Sequence, residues 1–210
     1  MRNIRIMRFA LVLSVMFSLA MIIPAPSGAA QNKTLDNLMA AYNGESNAHA
    51  KYLAYAEKAD AEGYGKVASL FRAAASAEKI HITNHARVIE GMGGTPKADI
   101  KLPVVKSTKE NLEDAVKGES YERSTMYPEF IAQAEKENNS DAILTFTYAK
   151  AAEAEHAKLY QMALADLAKW KAPKTNFYVC PICGYTVEGK PSFTACPVCA
   201  TPATLYQAVI

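Results

Sequence analysis

Four segments of the chain place carboxylates and imidazoles at spacings suited to metal ligation: Glu45, Glu78-x-x-His81, Glu119-x-x-Glu122 and Glu153-x-x-His156. On a helix, residues three apart share a face with side chains roughly 5–6 Å apart, so each Glu-x-x-His pair can grip an ion pair together. Five carboxylates in an apolar interior would be costly to ionise, and two divalent cations would offset that charge to about minus one. Hard oxygen donors with a few imidazoles favour iron or manganese over copper or a structural zinc. A single helical glutamate ordinarily faces solvent. Four matched segments among alanine-rich and aromatic neighbours argue for an inward cluster instead. His49 and His85, each one turn beyond a candidate ligand, are expected beside the site or at the surface.

A second constellation lies at the other end of the chain. Cys180, Cys183, Cys196 and Cys199 form two Cys-x-x-Cys pairs separated by twelve residues. That spacing suits four thiolates around one tetrahedral iron or zinc better than a pair of disulfides, and it does not distinguish the two metals. Ala200 follows the second pair where such knuckles usually continue with glycine, so a strained loop is expected there.

These residues need inward-facing helices to hold them. Apolar periodicity predicts helices over about Leu35–Glu62, with Thr34 or Asp36 as cap, and Lys66–Ile89. Further helices are predicted over Thr108–Glu137, started by a Ser107/Glu110 capping box, and Asp141–Lys169. Gly63-Tyr64-Gly65, Gly91-Met92-Gly93-Gly94 and Asn138-Asn139-Ser140 interrupt the pattern. Pro128 should kink the third helix about a turn beyond Glu122. Residues 95–107, with Pro96 and Pro103, read as a crossover between two helix pairs. The second pair repeats the first at an offset of 74 to 75 residues: Gly44-Glu45-Ser46 matches Gly118-Glu119-Ser120, and Phe71 and Ala77-Glu78 match Phe146 and Ala152-Glu153. The predicted fold is mainly α, a four-helix bundle with one long crossover (31–171) followed by a small four-cysteine domain (172–210).

The chain resembles the rubrerythrin family. The resemblance spans about Leu35 to Leu205 and rests on Gly44-Glu45-Ser46, Glu78-x-x-His81, Gly118-Glu119-x-x-Glu122, Met126-Tyr127-Pro128, Glu153-x-x-His156 and Cys180-Pro-Ile-Cys-Gly-Tyr185. It implies a ferritin-like di-iron bundle with a rubredoxin-like domain, and a non-haem peroxidase reducing hydrogen peroxide. An oxygen reductase, a ferroxidase or an iron-sequestering protein is the alternative. It implies two irons on Glu45, Glu78, His81, Glu119, Glu122, Glu153 and His156, and a third iron, in preference to zinc, on Cys180, Cys183, Cys196 and Cys199. By the same resemblance His81 and Glu122 exchange on one iron during the redox cycle, and Tyr52 and Tyr127 lie beside the site. An electron-donor protein or reductase would load the cysteine site. A helix of about 28 residues is roughly 42 Å long, which sets the two sites of one chain far apart, and the resemblance implies that the cysteine domain of one subunit serves the bundle of another in a homodimer or larger assembly.

Residues 1–30 have the form of an export signal: Arg2, Arg5 and Arg8, an apolar run from Phe9 to Ile23, and a small-residue region ending at Ala30. They predict a periplasmic or envelope location, with an uncleaved anchor as the alternative. Without them 20 basic residues face 21 acidic ones. The basic excess therefore belongs to the signal, and no nucleic-acid surface is expected.

Overall fold

The computed structural model describes residues 32–210; the expected export signal lies outside them. The first hairpin comprises α1 (Lys33–Ala61) and α2 (Gly65–Gly91). The second comprises α3 (Thr108–Tyr121), a π-helical segment (Glu122–Met126), α4 (Tyr127–Lys136) and α5 (Ser140–Ala165). An irregular crossover joins them. Among the described residues no helix is long and apolar enough to cross a membrane.

Local chemistry explains most helix ends. Asn32, rather than Thr34 or Asp36, caps α1, its side chain accepting from Leu35 N at 3.2 Å. Ser107 and Glu110 form the expected capping box on α3. Glu62, just past α1, accepts from Thr108 N at 2.8 Å and ties the end of the crossover to the first hairpin. The fourth predicted helix stops at Ala165, because Asp166 leaves helical geometry at φ −145° and caps a separate turn, α6 (Leu167–Trp170).

The third predicted helix is also interrupted, but before Pro128 rather than at it. Proline offers no amide to the carbonyl four residues earlier and crowds it. The chain accommodates this by widening into the π turn, which places Pro128 in the first turn of α4, where a missing amide costs little.

Two apolar clusters build the core. One contains Tyr52, Phe71 and Tyr160; the other contains Tyr127, Phe146 and Phe130 with His85. The repeat-related Phe71 and Phe146 thus anchor one cluster each. Burying each such ring contributes about 1.5–3 kcal/mol.

The cysteine domain is a three-stranded antiparallel sheet, ordered β2-β1-β3: β1 (Phe177–Val179), β2 (Thr186–Glu188) and β3 (Gln207–Val209). Tyr178 lies opposite Val187 on one side and Ala208 on the other. This sheet folds back onto α2. Trp170 stacks on Phe177 with ring centroids 6.3 Å apart, while Lys66 bridges to Glu188 at 2.8 Å and covers the Trp170 ring at 4.2 Å. Gly65 is required where the linker crosses α2, because a Cβ there would lie 2.9 Å from Ala172 O and Lys174 N.

Candidate metal centre

Each ligand candidate occupies an inward position on its helix. Glu45 on α1, Glu78 and His81 on α2, Glu119 on α3, and Glu153 and His156 on α5 are all at most 1% exposed. Glu45, Glu78, His81 and Glu153 bring ligand atoms within 4.8 Å of one another; so do Glu78, Glu119, Glu153 and His156. Glu78 and Glu153 belong to both groups. The two groups therefore describe two adjacent ion positions with a shared pair of carboxylates.

The imidazoles are oriented from outside the bundle. His81 Nε2 lies 3.1 Å from the Cys183 carbonyl, which only accepts, so this nitrogen carries the proton. The Thr186 hydroxyl donates to Gly184 O at 2.9 Å, which leaves its oxygen to accept from His156 Nε2 at 3.1 Å. Nδ1 of both rings consequently faces the carboxylates: His81 Nδ1 is 2.9 Å from Glu78 Oε2 and 3.0 Å from Glu153 Oε1, and His156 Nδ1 is 2.8 Å from Glu153 Oε2. Fixing the tautomer through the far nitrogen is how proteins prepare histidine as a metal ligand.

Two tyrosines brace the carboxylates crosswise. Tyr52 on α1 donates to Glu119 Oε1 on α3 at 2.7 Å, and Tyr127 on α4 donates to Glu45 on α1. Burial and then Glu119 raise the Tyr52 pKa; burial and then Glu45 raise that of Tyr127. Both phenols stay protonated and remain donors. Tyr52 and Tyr127 also lie 75 residues apart, so the internal repeat contains this bracing as well as the ligands.

His85 is no ligand. Its Nε2 lies 3.2 Å from the Tyr127 hydroxyl and its Nδ1 3.0 Å from Thr145 Oγ1, and burial lowers its pKa to about 3. A neutral ring thus links Thr145, Tyr127 and Glu45 in one hydrogen-bonded chain. His49 lies outside the centre, with Nδ1 2.7 Å from Ala75 O. Glu122, the first residue of the π segment, is half-buried and outside both close-packed groups, at the rim of the centre.

The electrostatics fit bound cations. Burial, reinforced by Glu78 and Glu153, raises the Glu45 pKa; burial with Glu45 and Glu119 raises that of Glu122. Burial alone would lower the imidazole pKa values, but Glu153 and Glu78 outweigh it at His81, as Glu119 and Glu153 do at His156. Among the described residues, Glu45 Oε2 and Glu119 Oε2 are buried without a hydrogen-bond partner. Buried carboxylate oxygens left unpartnered are expensive unless a cation takes them up.

The cysteine cluster fits an ion equally well. Cys180 Sγ lies 3.5 Å from Cys199 Sγ, and Cys183 Sγ 3.6 Å from Cys196 Sγ. Sulfurs about 2.3 Å from a tetrahedral metal are about 3.8 Å apart, whereas a disulfide would need about 2.05 Å. Amides of Ile182 and Cys183 reach Cys180 Sγ, and those of Tyr185 and Thr201 reach Cys183 and Cys199. The knuckles are closed alike by Gly184 N to Cys180 O and Ala200 N to Cys196 O, both at 3.0 Å. Ala200 does adopt the left-handed φ expected of glycine there, +60° against +77° at Gly184.

Sequence reasoning missed the contact between the two sites. The family resemblance, together with helix length, led to the expectation that the cysteine domain serves the bundle of another subunit. In this structure the same chain turns back after Trp170 and seats Cys183 and Thr186 on its own His81 and His156. No sequence signal announced this contact; in the structure a Cβ on Gly184 would lie 2.5 Å from His81 Nε2.

Comparison with known proteins agrees with this geometry. A family profile described as Rubrerythrin matches residues 36–164. Nigerythrin of Nitratidesulfovibrio vulgaris is 44% identical over 186 residues, covering 88% of this chain and 90% of that protein. Rubrerythrin-2 of Clostridium acetobutylicum is 36% identical, covering 83% and 96%. A solved structure of nigerythrin in its fully reduced, all-ferrous state superposes with a TM-score of 0.78 at 39% identity, covering 90% of this chain and 91% of that one. Bacterioferritin of Desulfovibrio desulfuricans, at 21% identity and a TM-score of 0.63, shares the fold of the bundle.

Proposed function

The chain belongs to the rubrerythrin family and binds iron at both its carboxylate–histidine and four-cysteine sites, and on that premise we propose that it is a peroxidase reducing hydrogen peroxide to water. The reaction consumes one peroxide, two electrons and two protons and yields two waters. Glu45, Glu78, His81, Glu119, Glu122, Glu153 and His156 would hold the iron pair, and the four cysteines a third iron. When bound, the pair supplies the electrons and polarises the peroxide oxygens, and the thiolate iron returns electrons singly.

The protein's own part is positioning. Tyr52 and Tyr127 hold Glu119 and Glu45 by hydrogen bonds, so the carboxylates cannot swing freely as charge changes. Glu122 lies at the half-buried rim, on the π segment and outside both close-packed groups. Its exchange with His81 is part of this proposal. The contact that carries the reading is His81 Nε2–H donating to the Cys183 carbonyl at 3.1 Å, which joins a candidate ligand of one site to the backbone of the other. That junction suits a reductase-fed catalyst better than an iron store. A separate electron-donor protein or reductase would load the cysteine site, and export to the envelope is proposed from residues 1–30.

The test is single-turnover reoxidation of the fully reduced protein. Peroxide should reoxidise it faster than equimolar dioxygen; the reverse order would establish an oxygen reductase or ferroxidase instead.

A further inference from the structure

Two glycines lie inside helices that do not need them. Gly44 is in the middle of α1 and Gly118 near the end of α3, and neither has a positive φ. A Cβ on Gly44 would meet nothing within 4 Å, and one on Gly118 only Lys51 Nζ at 3.9 Å. Neither backbone conformation nor packing therefore calls for glycine. Each nevertheless costs its helix about 0.5–1 kcal/mol relative to alanine.

What the two share is a cavity. Gly44 and Gly118 line opposite walls of a space of ≈ 200 Å³ whose other lining residues include Tyr52, Glu122, Lys101 and Leu102. It therefore extends from the surface to Glu122, at the rim of the metal centre, and to Tyr52, which bonds Glu119. Its third wall, the crossover, is fixed rather than loose. Asp99 N donates to Asn43 Oδ1 at 2.7 Å, Lys101 N donates to Asn47 Oδ1 at 2.8 Å, and Asn47 Nδ2 donates to Asp99 O at 3.0 Å. The two lysines at the mouth are paired, Lys51 with Asp114 and Lys101 with Asp99, so the opening is not a cationic funnel.

We propose that this cavity is the route by which a small, neutral oxidant reaches the centre, and that Gly44 and Gly118 set its bore. The proposal rests on the peroxidase reading for its substrate, hydrogen peroxide, and adds that bulky organic hydroperoxides are excluded by the walls.

Gly118→Leu and Gly44→Leu narrow the route from opposite sides, so the failure of one to fold leaves the other. Each variant is compared with the wild type at equal iron content and equal visible spectrum. Hydrogen peroxide should reoxidise the reduced variants at least about tenfold more slowly than wild type. Nitric oxide, a small neutral probe whose arrival is read from the ferrous spectrum without turnover, should be slowed alongside it. Cumene hydroperoxide should react poorly with all forms. Gly44→Ala and Gly118→Ala should raise the melting temperature, since their Cβ atoms fill empty space. Wild-type rates for nitric oxide in both leucine variants would overturn the route. A wild type that ignores peroxide, while nitric oxide is slowed in the variants, would sink the peroxidase reading and leave the route standing.

Discussion

Replacing Gly184 with alanine separates the docking of the cysteine domain from its intrinsic fold. Gly184 and Ala200 occupy equivalent corners of the two knuckles, at φ +77° and +60°. A non-glycine residue in this region costs about 1–2 kcal/mol, so Ala200→Gly should stabilise the protein by roughly 1 kcal/mol. Gly184→Ala incurs the same backbone cost and adds a collision, because the new Cβ would lie 2.5 Å from His81 Nε2 and 3.2 Å from Ala77 Cβ. Relieving it requires the knuckle to retreat, and the bonds from His81 to Cys183 O and from Asn84 to Ile182 O weaken together. At about 1 kcal/mol for each hydrogen bond, the total loss is about 3 kcal/mol. For a chain of this size 1 kcal/mol shifts Tm by about 2–4 °C. Calorimetry of the iron-loaded proteins should therefore show Ala200→Gly about 2–4 °C above wild type and Gly184→Ala about 6–12 °C below it. The thiolate-iron spectrum should persist in both. If Gly184→Ala loses no more than Ala200→Gly gains, the knuckle is not seated on His81 in solution.

Thr186→Val removes the hydroxyl that orients His156 through Nε2, and loss of such an outer partner should weaken iron binding or turnover by about 10–100-fold, measured by iron titration and steady-state rates. Stripping the metals with a chelator should lower Tm, since iron held at a hundred times its dissociation constant adds about 2.7 kcal/mol per site; an unchanged Tm would mean the cluster does not need cations. The Thr108 amide, aided by Lys58, lowers the Glu62 pKa on folding from 4.5 to about 2. Its contribution should be complete above pH 4.5 and disappear as pH falls towards 2, so urea titrations of wild type and Glu62→Gln should differ by about 1 kcal/mol at neutral pH and converge in acid.

The convergence of these acids and imidazoles was legible because they obey two periodicities at once. Glu78-x-x-His81 and Glu153-x-x-His156 follow the helical spacing, and both recur at the repeat offset with Glu45 and Glu119. The cysteine knuckles were legible for a similar reason, since their chemistry is local in sequence. The π segment was not. Pro128 announced a disturbance, but whether a helix kinks or widens depends on how its neighbours pack, which no local pattern contains. Nor was the contact of Cys183 and Thr186 with the two histidines, which depends on the path of the chain after Trp170. Counting helix length measured how far apart the sites could be and said nothing about the return.

The central claim is that acids and imidazoles from both hairpins converge on one pair of irons, and iron stoichiometry in Glu78→Ala tests it most directly. Glu78 belongs to both close-packed groups, while the cysteines are independent of it. The variant should lose the iron pair and keep the single thiolate iron with its visible spectrum. A Glu78→Ala protein that retained the full iron content of the wild type would contradict the claim.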